Sequence, residues 1–501
     1  MNETPQALYT ALQARDARFD GRFFVGVTST GIYCRPVCPA RTPRYDHCRF
    51  FSHAALAEKH GFRPCLRCRP ELSPSDSQHA LLGHGMARTL AQAAARLIEQ
   101  GAFNDADSTA LAARIGISPR HLTRLFKAEF GVSLLDYQQT QRLLTAKRLL
   151  TESTLSMTEI AYAAGFGSVR RFNALFRERY QLSPQQLRAK KVVEAAATLT
   201  FTLSYRPPLA WSALLAYLAQ RAIVGIERVD GDHYQRSITV NGSSGWIDVA
   251  HLPGRHALSV TFPATLAPAS MVLIQHVRRM FDLDCRPDLI DAHLAELAVD
   301  LPGIRVPGSD SGFEIAVRAV IGQRIAVSRA RTQLACLSAA FGRPLVAAPP
   351  GVERLFPDVA SIASQSVEAL HDAGIEYTKA ATLKRLATVI TESGLNLSPE
   401  APLEETMQAL LAIKGIGPWT AQYIAMRALN WPDAWPRGDW VLERQLARHE
   451  QPAKALLARW APWRAYAAMH LWRQHATNQQ KQLPSISEQE VNNDDALCNA
   501  R

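Results

Sequence analysis

Long apolar runs are missing from this sequence of 501 residues. No stretch of eighteen consecutive apolar residues occurs, and residues 1–30 lack the apolar core of a signal peptide. These absences argue against a membrane-spanning or exported protein, so we expect a soluble cytoplasmic protein with no membrane partner. The chain is too long for one hydrophobic core and should divide into several domains.

Acidic residues are too few to balance the basic residues in the first part of the chain. The formal net charge is +11; residues 1–190 carry all of it, and residues 191–501 are neutral overall. Positive charge concentrated on one part of a chain is the electrostatic signature of nucleic-acid binding. We therefore expect double-stranded DNA as the main partner. Residues 191–501, which are neutral overall, would have to hold DNA through local groups instead of net charge.

Cysteines are also few, but five of the eight lie close together near the N-terminus. Cys34 and Cys38 form one short-spaced pair, and Cys65 and Cys68 form a second pair. Two such pairs in a cytosolic protein can supply a tetrahedral set of four thiolates for one Zn²⁺. Cys48 has no short-range partner, and we expect it to take no part in the site.

The spacing alone leaves two roles open for this site. It could only stabilise a small fold, or it could present a reactive thiolate, because coordination keeps sulfur deprotonated and nucleophilic. The segments TGIYCRPVCPAR (30–41) and GFRPCLRCRP (61–70) resemble the methylphosphotriester domain of the bacterial adaptive-response regulators of the Ada family. This resemblance spans residues 5–75 and implies that Cys34 accepts a methyl group from a methylated DNA phosphate.

Methylation of one ligand would change the charge of the zinc site. A neutral thioether at Cys34 would lower the negative charge of the cluster by one unit and weaken its repulsion of DNA phosphates. Arg41 and Arg44 are the candidate phosphate contacts beside it. The sequence thus predicts a DNA affinity that rises on methylation.

Two similar blocks follow at residues 108–131 and 157–184. In each block a short amphipathic helix ends at a Gly-apolar pair, and a serine (Ser118 or Ser168) can cap a second helix. This layout predicts a repeated helix-turn-helix, whose second helix can enter a major groove. The basic residues of the two predicted recognition helices include Arg120, His121, Arg124, Lys127, Arg170, Arg171 and Arg177.

The tandem arrangement of these blocks resembles the AraC-type transcription regulators. A long helix predicted at 133–150 would separate the two recognition helices along one face of DNA. Arginine can read base edges, but these helices could instead only anchor the protein through phosphates. Activation of transcription by such a regulator would involve RNA polymerase as a further partner.

The pattern changes after residue 197. Residues 198–270 alternate between apolar and polar residues and are divided by turn signals, which predicts a small antiparallel sheet with a helix at 211–220. From 271 to 476 the periodicity is helical, with loops expected at 301–311 and 342–357.

Residues 411–423 read LAIKGIGPWTAQY. Gly415 and Gly417 flank one apolar residue, so the chain can reverse tightly, with positive φ allowed at each glycine. Backbone N–H groups in the first turn of the next helix can then hold a phosphate. This pattern predicts a helix–hairpin–helix that grips the DNA backbone, although an ordinary turn between helices fits the two glycines alone.

Residues 313–334, this hairpin, Asp439 and residues 462–472 occur in the order found in the helix–hairpin–helix DNA glycosylases. They resemble the 3-methyladenine DNA glycosylase II (AlkA) family over residues 198–478. The resemblance implies that Asp439 is the catalytic carboxylate. A carboxylate beneath the sugar stabilises the oxocarbenium-like transition state, and one suffices because an N-alkylated purine is already cationic.

The damaged base must leave the duplex stack before it can be excised. Trp419, Tyr423 and Trp472 match the aromatic residues that hold the base in this family, and their electron-rich rings would attract a cationic purine. The alternative of simple core packing fits Trp463 better. Arg324 matches the position of the wedge that fills the vacated space in the duplex.

Further absences define the expected reaction. Relatives with lyase activity carry a lysine where this chain has Trp419, so base removal should be monofunctional and leave an abasic site. Only Cys498 lies near the C-terminus, where some relatives bind an iron–sulfur cluster with four cysteines, so no such cluster is expected. The Pro-Cys-His-Arg motif is missing, and we expect no transfer of methyl groups from O6-methylguanine.

The sequence therefore predicts a multidomain, mainly α protein that joins an Ada-type regulator to an AlkA-type glycosylase of base excision repair. A regulator or DNA-tethered lesion binder without excision activity is the alternative. The predicted domains are a small α/β zinc domain (1–78), a tandem helix-turn-helix (84–190), a small antiparallel β domain (198–270), an all-α helix–hairpin–helix glycosylase domain (271–478) and a disordered tail (479–501).

Overall fold

The computed structural model divides the chain into two compact units. Unit 1 comprises Met1–Leu209 and Asp232–Asp288, and unit 2 comprises Ala210–Gly231 and Leu289–Arg501. No helix in the described part of the chain is long and apolar enough to cross a bilayer. The residues that the structure describes are 3–75, 86–101, 103, 108–188 and 197–482.

Unit 1 begins with a small sheet flanked by helices. Its elements are α1 (Pro5–Ala14), β1 (Phe24–Val27), β2 (Ile32–Cys34), β3 (Cys48–Phe51), α2 (Ala54–Lys59) and β4 (Arg63–Pro64). The strand order is β3-β1-β2-β4, with β2 and β4 parallel and the other pairs antiparallel. Because parallel strands end at the same edge, Cys34 at the end of β2 and Cys65 just after β4 lie side by side.

A run of helices follows in unit 1. They are α3 (Met86–Glu99), α4 (Ser108–Ile115), α5 (Pro119–Phe130), α6 (Leu134–Glu152), α7 (Met157–Ala163), α8 (Val169–Tyr180) and α9 (Pro184–Leu187). The predicted caps are confirmed, since Ser118 Oγ accepts from the His121 N–H at the start of α5 and Ser168 Oγ accepts from the Arg171 N–H in α8. The two helix-turn-helix blocks are therefore both formed.

A buried glutamate joins the zinc-binding part to these helices. Glu58 on α2 is 4% exposed and accepts hydrogen bonds from Tyr33 Oη (3.0 Å) and Tyr180 Oη (3.3 Å). Thr140 Oγ1 on α6 donates a third bond at 2.8 Å. Burial raises the pKa of Glu58 to about 7, against the opposing effect of these hydrogen bonds.

Replacing Glu58 with glutamine is expected to reduce the change in the free energy of unfolding between about pH 4.5 and about pH 7. The native state keeps a proton that the unfolded chain releases above its ordinary pKa of 4.5. Stability should therefore fall as the pH rises from about 4.5 to about 7, by about 3 kcal/mol in all. Denaturant unfolding at both ends of that range measures the difference. Glu178→Gln, at an exposed position on α8, is the control, and equal pH dependence in wild type and Glu58→Gln would contradict the prediction.

The next elements alternate between the two units. Strands β5 (Thr198–Ser204), β7 (His233–Val240), β8 (Ser243–Leu252) and β9 (Ala257–Pro263) and helix α11 (Ser270–Met280) belong to unit 1, whereas α10 (Trp211–Ala219) and β6 (Glu227–Asp230) belong to unit 2. Within unit 1 the strands follow the antiparallel order β5-β9-β8-β7. The predicted antiparallel sheet and its helix are thus present.

A buried arginine just after β5 anchors two parts of unit 1. The guanidinium of Arg206 is fully buried and donates to the carbonyl oxygens of Asp20 (2.9 Å) and Ser75 (3.0 Å) in the zinc-binding part. It also donates to the carbonyl of Asp284 (2.9 Å), whose carboxylate pairs with Arg278 on α11. A guanidinium buried this deeply needs these acceptors, so both parts are held together by it.

The rest of unit 2 is helical. Its helices are α12 (Pro287–Leu294, which begins in unit 1), α13 (Gly312–Ile321), α14 (Val327–Phe341), α15 (Val359–Ser364), α16 (Val367–Asp372), α17 (Tyr377–Ser393), α18 (Leu403–Ala412), α19 (Pro418–Arg427), α20 (Trp440–Leu446), α21 (Ala453–Trp460) and α22 (Arg464–Gln482). Helix α13 is buried over most of its length and packs against α14, α17 and α19. This apolar helix forms the centre of the unit.

The end of α22 corrects one predicted boundary. The helix extends to Gln482, so the first four residues of the tail predicted to be disordered from 479 are helical. Gln and Lys are good helix formers and prolong a helix that is already held by packing. Residues 483–501 lie outside the described residues.

Candidate metal centre and candidate base pocket

The cysteine cluster in unit 1 has the geometry of a metal site. One sulfur atom from each of Cys34, Cys38, Cys65 and Cys68 lies within 4.8 Å of the other three. Tetrahedral zinc with Zn–S bonds of about 2.3 Å places its sulfur ligands about 3.8 Å apart, so these residues fit one Zn²⁺. Cys48 is outside the cluster, and its Sγ contacts the carbonyl oxygen of Arg44 instead, at 3.3 Å.

Hydrogen bonds and burial distinguish the four sulfurs. The backbone N–H groups of Arg35 and Arg67 point at Cys68 Sγ (3.3 Å) and Cys65 Sγ (3.4 Å). Contact with Cys38 raises the pKa of the Cys34 thiol, because neighbouring sulfurs disfavour a shared negative charge that a divalent cation would compensate. Cys34 is also the most accessible of the four, since the other three are buried.

A buried ion pair packs against the cysteine cluster. Arg35, next to Cys34 in sequence, pairs with the carboxylate of Asp20 and donates from Nη1 to the carbonyl of Cys68 at 3.0 Å. Outside the cluster, Arg41 and Arg44 are exposed on the loop that follows Cys38. The basic residues that face solvent are thus separate from the one that packs against the cluster.

The predicted recognition helices present their basic side chains to solvent. Phe126 on α5 and Phe176 on α8 occupy equivalent positions and are fully buried, which fixes the orientation of each helix. The opposite faces carry the exposed residues Arg120, Arg124, Arg170 and Arg171. A basic face of this kind is suited to the backbone or the major groove of DNA.

The hairpin between α18 and α19 uses its two glycines differently. Gly415 has φ +102°, and a Cβ there would lie 2.1 Å from Thr382 Oγ1, so only glycine fits. Gly417 has φ −97° and precedes Pro418 at the start of α19. A positive φ is allowed at both glycines, but only Gly415 adopts one. A Cβ at Gly417 would meet open space, which leaves the N-terminus of α19 approachable.

The loop between α13 and α14 is tied to this hairpin. Gln323 Nε2 donates to the carbonyl of Gly415 (3.0 Å) and to Thr420 Oγ1 (2.8 Å). Arg324, the next residue, is exposed and has φ +56°, a left-handed conformation that is uncommon outside glycine. The predicted wedge residue therefore projects from a loop whose position relative to the hairpin is fixed.

Asp439 lies at the N-terminus of α20 and is held by three N–H donors. Its Oδ1 accepts from the backbone N–H of Leu442 (3.0 Å), as an N-cap does. The indole Nε1 of Trp472 donates to Oδ1 and the indole Nε1 of Trp419 donates to Oδ2, both at 3.1 Å. The carboxylate is only partly buried, so it keeps an accessible side.

The three predicted pocket aromatics come together beside this carboxylate. The rings of Trp419 and Tyr423 stack, with their centroids 5.3 Å apart and an interplanar angle of 16°. The ring centroid of Trp472 lies 6.2 Å from that of Tyr423. All three are partly exposed, as a binding pocket requires. Trp463 is 6% exposed and packs in the interior against Tyr466, which agrees with the core role expected for it.

Two residues at this pocket were not predicted. Tyr217 on α10 places its hydroxyl 3.4 Å from the hydroxyl of Tyr423, and Arg427 donates from Nη1 to the same Tyr423 oxygen at 2.8 Å. Arg427 follows Tyr423 by four residues on one helix, and this spacing could have indicated it. Tyr217 is distant in sequence and carries no local signal.

Three family models match separate parts of the chain. Residues 7–71 match the metal binding domain of Ada, residues 111–190 match a helix-turn-helix domain, and residues 200–311 match the AlkA N-terminal domain. These matches follow the order of the predicted segments.

Individual relatives cover the same parts and, in one case, almost the whole chain. The chain is 36% identical to the bifunctional transcriptional activator/DNA repair enzyme Ada of Escherichia coli over 32% of its length and 43% of that protein. It is 31% identical to DNA-3-methyladenine glycosylase 2 of E. coli over 54% of its length and 96% of that protein. It is 34% identical to the probable bifunctional transcriptional activator/DNA repair enzyme AlkA of Mycobacterium tuberculosis, over 96% of this chain and 98% of that protein. Because the last similarity spans almost all of both proteins, the chain belongs to the family of bifunctional transcriptional activator/DNA repair enzymes AlkA.

Proposed function

We propose that this protein is a DNA-3-methyladenine glycosylase that hydrolyses the N-glycosidic bond of N-alkylated purines and also a methylation-responsive activator of transcription. One observation carries the enzymatic part of the proposal. The carboxylate of Asp439 is fixed by two indole N–H groups at the edge of a pocket of stacked aromatic rings.

The proposed reaction starts with an everted nucleotide whose base lies against Trp419 and Tyr423 and whose sugar lies over Asp439. The C1′–N bond breaks and its electron pair leaves with the cationic purine, which departs as a neutral base. The carboxylate of Asp439 stabilises the positive charge that develops on the sugar. Water then adds to C1′ and loses its proton to solvent or to Asp439, which leaves an abasic site.

The indole donors suit this role better than a cationic partner would. An arginine or lysine would neutralise the carboxylate and weaken its interaction with the sugar cation. Trp419 and Trp472 orient both oxygens of Asp439 through uncharged N–H groups, so the negative charge is retained. The same two rings also line the base pocket, which couples the position of the carboxylate to that of the base.

Excision without strand cleavage is the second part of the enzymatic proposal. A lyase needs an amine that attacks C1′, and the position that holds this lysine in lyase-competent relatives is occupied here by Trp419. Lys414 is exposed on the hairpin and suits a phosphate contact. We therefore assign to this chain a monofunctional reaction in which water is the nucleophile.

DNA would be held by the hairpin and by the loop tied to it. The open approach at Gly417 and the first turn of α19 suit a phosphate group, since N–H groups at a helix N-terminus bind anions. Arg324 would fill the space left by the everted nucleotide, where its planar guanidinium can stack on the neighbouring bases. The neutral overall charge of this part of the chain makes such local contacts necessary.

The N-terminal half would act as the sensor. When bound, Zn²⁺ keeps the cysteine sulfurs in the thiolate form at neutral pH. The Sγ atom of Cys34 attacks the methyl carbon of a DNA methylphosphotriester, so an S–C bond forms, the C–O bond breaks and an ordinary phosphodiester anion leaves. The accessibility of Cys34 among buried ligands supports its role as the acceptor, and Arg41 and Arg44 are the proposed phosphate contacts.

Transcriptional activation is assigned to the two helix-turn-helix blocks. Exposed Arg120, Arg124, Arg170 and Arg171 would contact promoter DNA, and RNA polymerase is the proposed protein partner. Loss of one negative charge at the zinc site would strengthen binding of the whole N-terminal half to DNA.

The enzymatic proposal is tested by incubating the full chain with DNA treated with a methylating agent. Free 3-methyladenine is expected in the supernatant by chromatography, and strand breaks are expected only after alkali treatment of the abasic product. Strand breaks before alkali treatment would contradict the monofunctional assignment. Absence of any released base would instead favour a regulator that binds lesions without excising them.

A further inference from the structure

A buried positive charge lies next to Tyr423, one of the pocket aromatics. Arg427, near the end of α19, is 5% exposed. Its Nε donates to the carbonyl of Pro307 (2.8 Å), its Nη2 donates to the carbonyl of Gly308 (3.4 Å), and its Nη1 donates to Tyr423 Oη (2.8 Å). Within the described residues, no carboxylate oxygen lies within 4.0 Å of this guanidinium. The buried charge is therefore compensated by neutral carbonyls and by phenol groups.

This arrangement is unusual because a buried guanidinium normally has an anionic partner. Among the residues that the structure describes, the acidic groups in contact with Arg427 are phenols. Its guanidinium carbon lies 5.6 Å from the ring centroid of Tyr423 and 5.5 Å from that of Tyr217, but a hydrogen bond is formed only with Tyr423. Tyr423 is thus the group placed to supply the missing negative charge.

One other charge near Tyr423, that of Arg221, acts in the same direction as Arg427. Arg221, which follows α10, places its guanidinium 3.8 Å above the ring of Tyr217. On α13, Arg318 is already paired with Glu227 and Glu314, so it adds little net charge. The carboxylate of Asp439 accepts hydrogen bonds from the indole groups of Trp419 and Trp472, and Trp419 in turn stacks on Tyr423.

The pKa values of the two phenols agree with this geometry. Burial opposes the ionisation of Tyr423, but the charges of Arg427 and Arg221 outweigh it and lower the pKa of Tyr423 to about 8. Burial raises the pKa of Tyr217, which therefore remains protonated and is able to donate its hydroxyl to Tyr423.

We infer that Tyr423 and Arg427 form a phenolate–guanidinium pair that makes the pocket selective for positively charged bases. The phenol loses its proton to solvent, and the ring that faces the base then carries a negative charge in addition to its electron-rich face. A cationic N-alkylated purine gains from this charge, whereas an uncharged base does not. The consequence for substrates rests on the proposed glycosylase function, but the ionisation of Tyr423 does not.

The ionisation is tested directly by an ultraviolet absorbance titration of the full protein. Wild type is expected to show one phenol that ionises near pH 8, well below the ordinary tyrosine pKa of 10.0. Tyr423→Phe keeps the stacked ring and should remove this early step. Tyr162→Phe, at an exposed position in unit 1, should leave it unchanged. If the wild-type and Tyr423→Phe titrations coincide, the pair does not exist.

The effect on selectivity is tested by the ratio of rates. Single-turnover release of 3-methyladenine is measured for wild type and Tyr423→Phe at each pH, so that other pH effects cancel in the ratio. The rate for wild type divided by the rate for Tyr423→Phe is expected to rise roughly fivefold as the pH rises from about 6.5 to about 9. A ratio that stays constant over this pH range, despite an early phenol ionisation, would overturn the proposed selectivity for positively charged bases. A protein that releases no base would contradict the enzymatic proposal while the absorbance titration still decides the ionisation of Tyr423.

Discussion

Replacing Asp439 with asparagine is expected to slow the release of 3-methyladenine by about a thousandfold, the scale of losing one preorganised electrostatic group at a transition state. Asparagine has nearly the same shape and can still cap α20 through its carbonyl oxygen, so the fold should be kept. The negative charge beneath the sugar is lost, and an amide N–H₂ would face one of the two indole N–H groups. The measurement is single-turnover base release from methylated DNA.

Asp358→Asn is the matched control for this variant. Asp358 also caps a helix of unit 2, since its Oδ1 accepts from the Ser361 N–H at the start of α15, but it lies away from the pocket. Both variants should remain folded at the assay temperature, and only Asp439→Asn should lose activity. Full activity in Asp439→Asn would assign the chemistry to a different group and remove the basis of the proposed mechanism.

The second large effect concerns the zinc site. Exposure of the protein to DNA that carries methylphosphotriesters should add one methyl group to the peptide that contains Cys34, as measured by mass spectrometry. Methylation is further expected to raise the affinity for DNA roughly tenfold at moderate salt, because one negative charge near the phosphates disappears. Cys34→Ser should accept no methyl group at the site.

Cys48→Ser is the control for the methyl transfer. Cys48 is partly exposed in the same small sheet but lies outside the group of sulfurs, so this variant should be methylated as readily as wild type. Methyl transfer to another cysteine would contradict the assignment of Cys34, and transfer to none would leave a purely structural role for the zinc site. An affinity that does not change after methylation would disprove the electrostatic switch even if Cys34 is the acceptor.

Features that depend on local spacing could be predicted from the sequence. The cysteine pairs, the serine caps of α5 and α8, the hairpin at Gly415 and the stacked Trp419 and Tyr423 each involve residues only a few positions apart. At such distances the geometry of a turn or a helix decides which side chains meet. The sequence order of these segments also identified the family.

Contacts between distant segments could not be predicted in this way. Nothing in the neighbourhood of Trp472 indicates that its indole N–H would reach a carboxylate thirty-three residues earlier. Tyr217 joins the pocket from a helix that precedes Tyr423 by 206 residues, and Glu58 meets Tyr180 across 122 residues. Such contacts follow from the packing of whole helices, which periodicity alone does not specify.

The buried guanidinium of Arg206 has a consequence for the way in which unit 1 comes apart. Its acceptors belong to segments far apart in the chain, so detaching any one of these segments deprives a buried charged group of a hydrogen bond. Within unit 1, we therefore expect the zinc-binding part and the segment that follows β5 to unfold cooperatively.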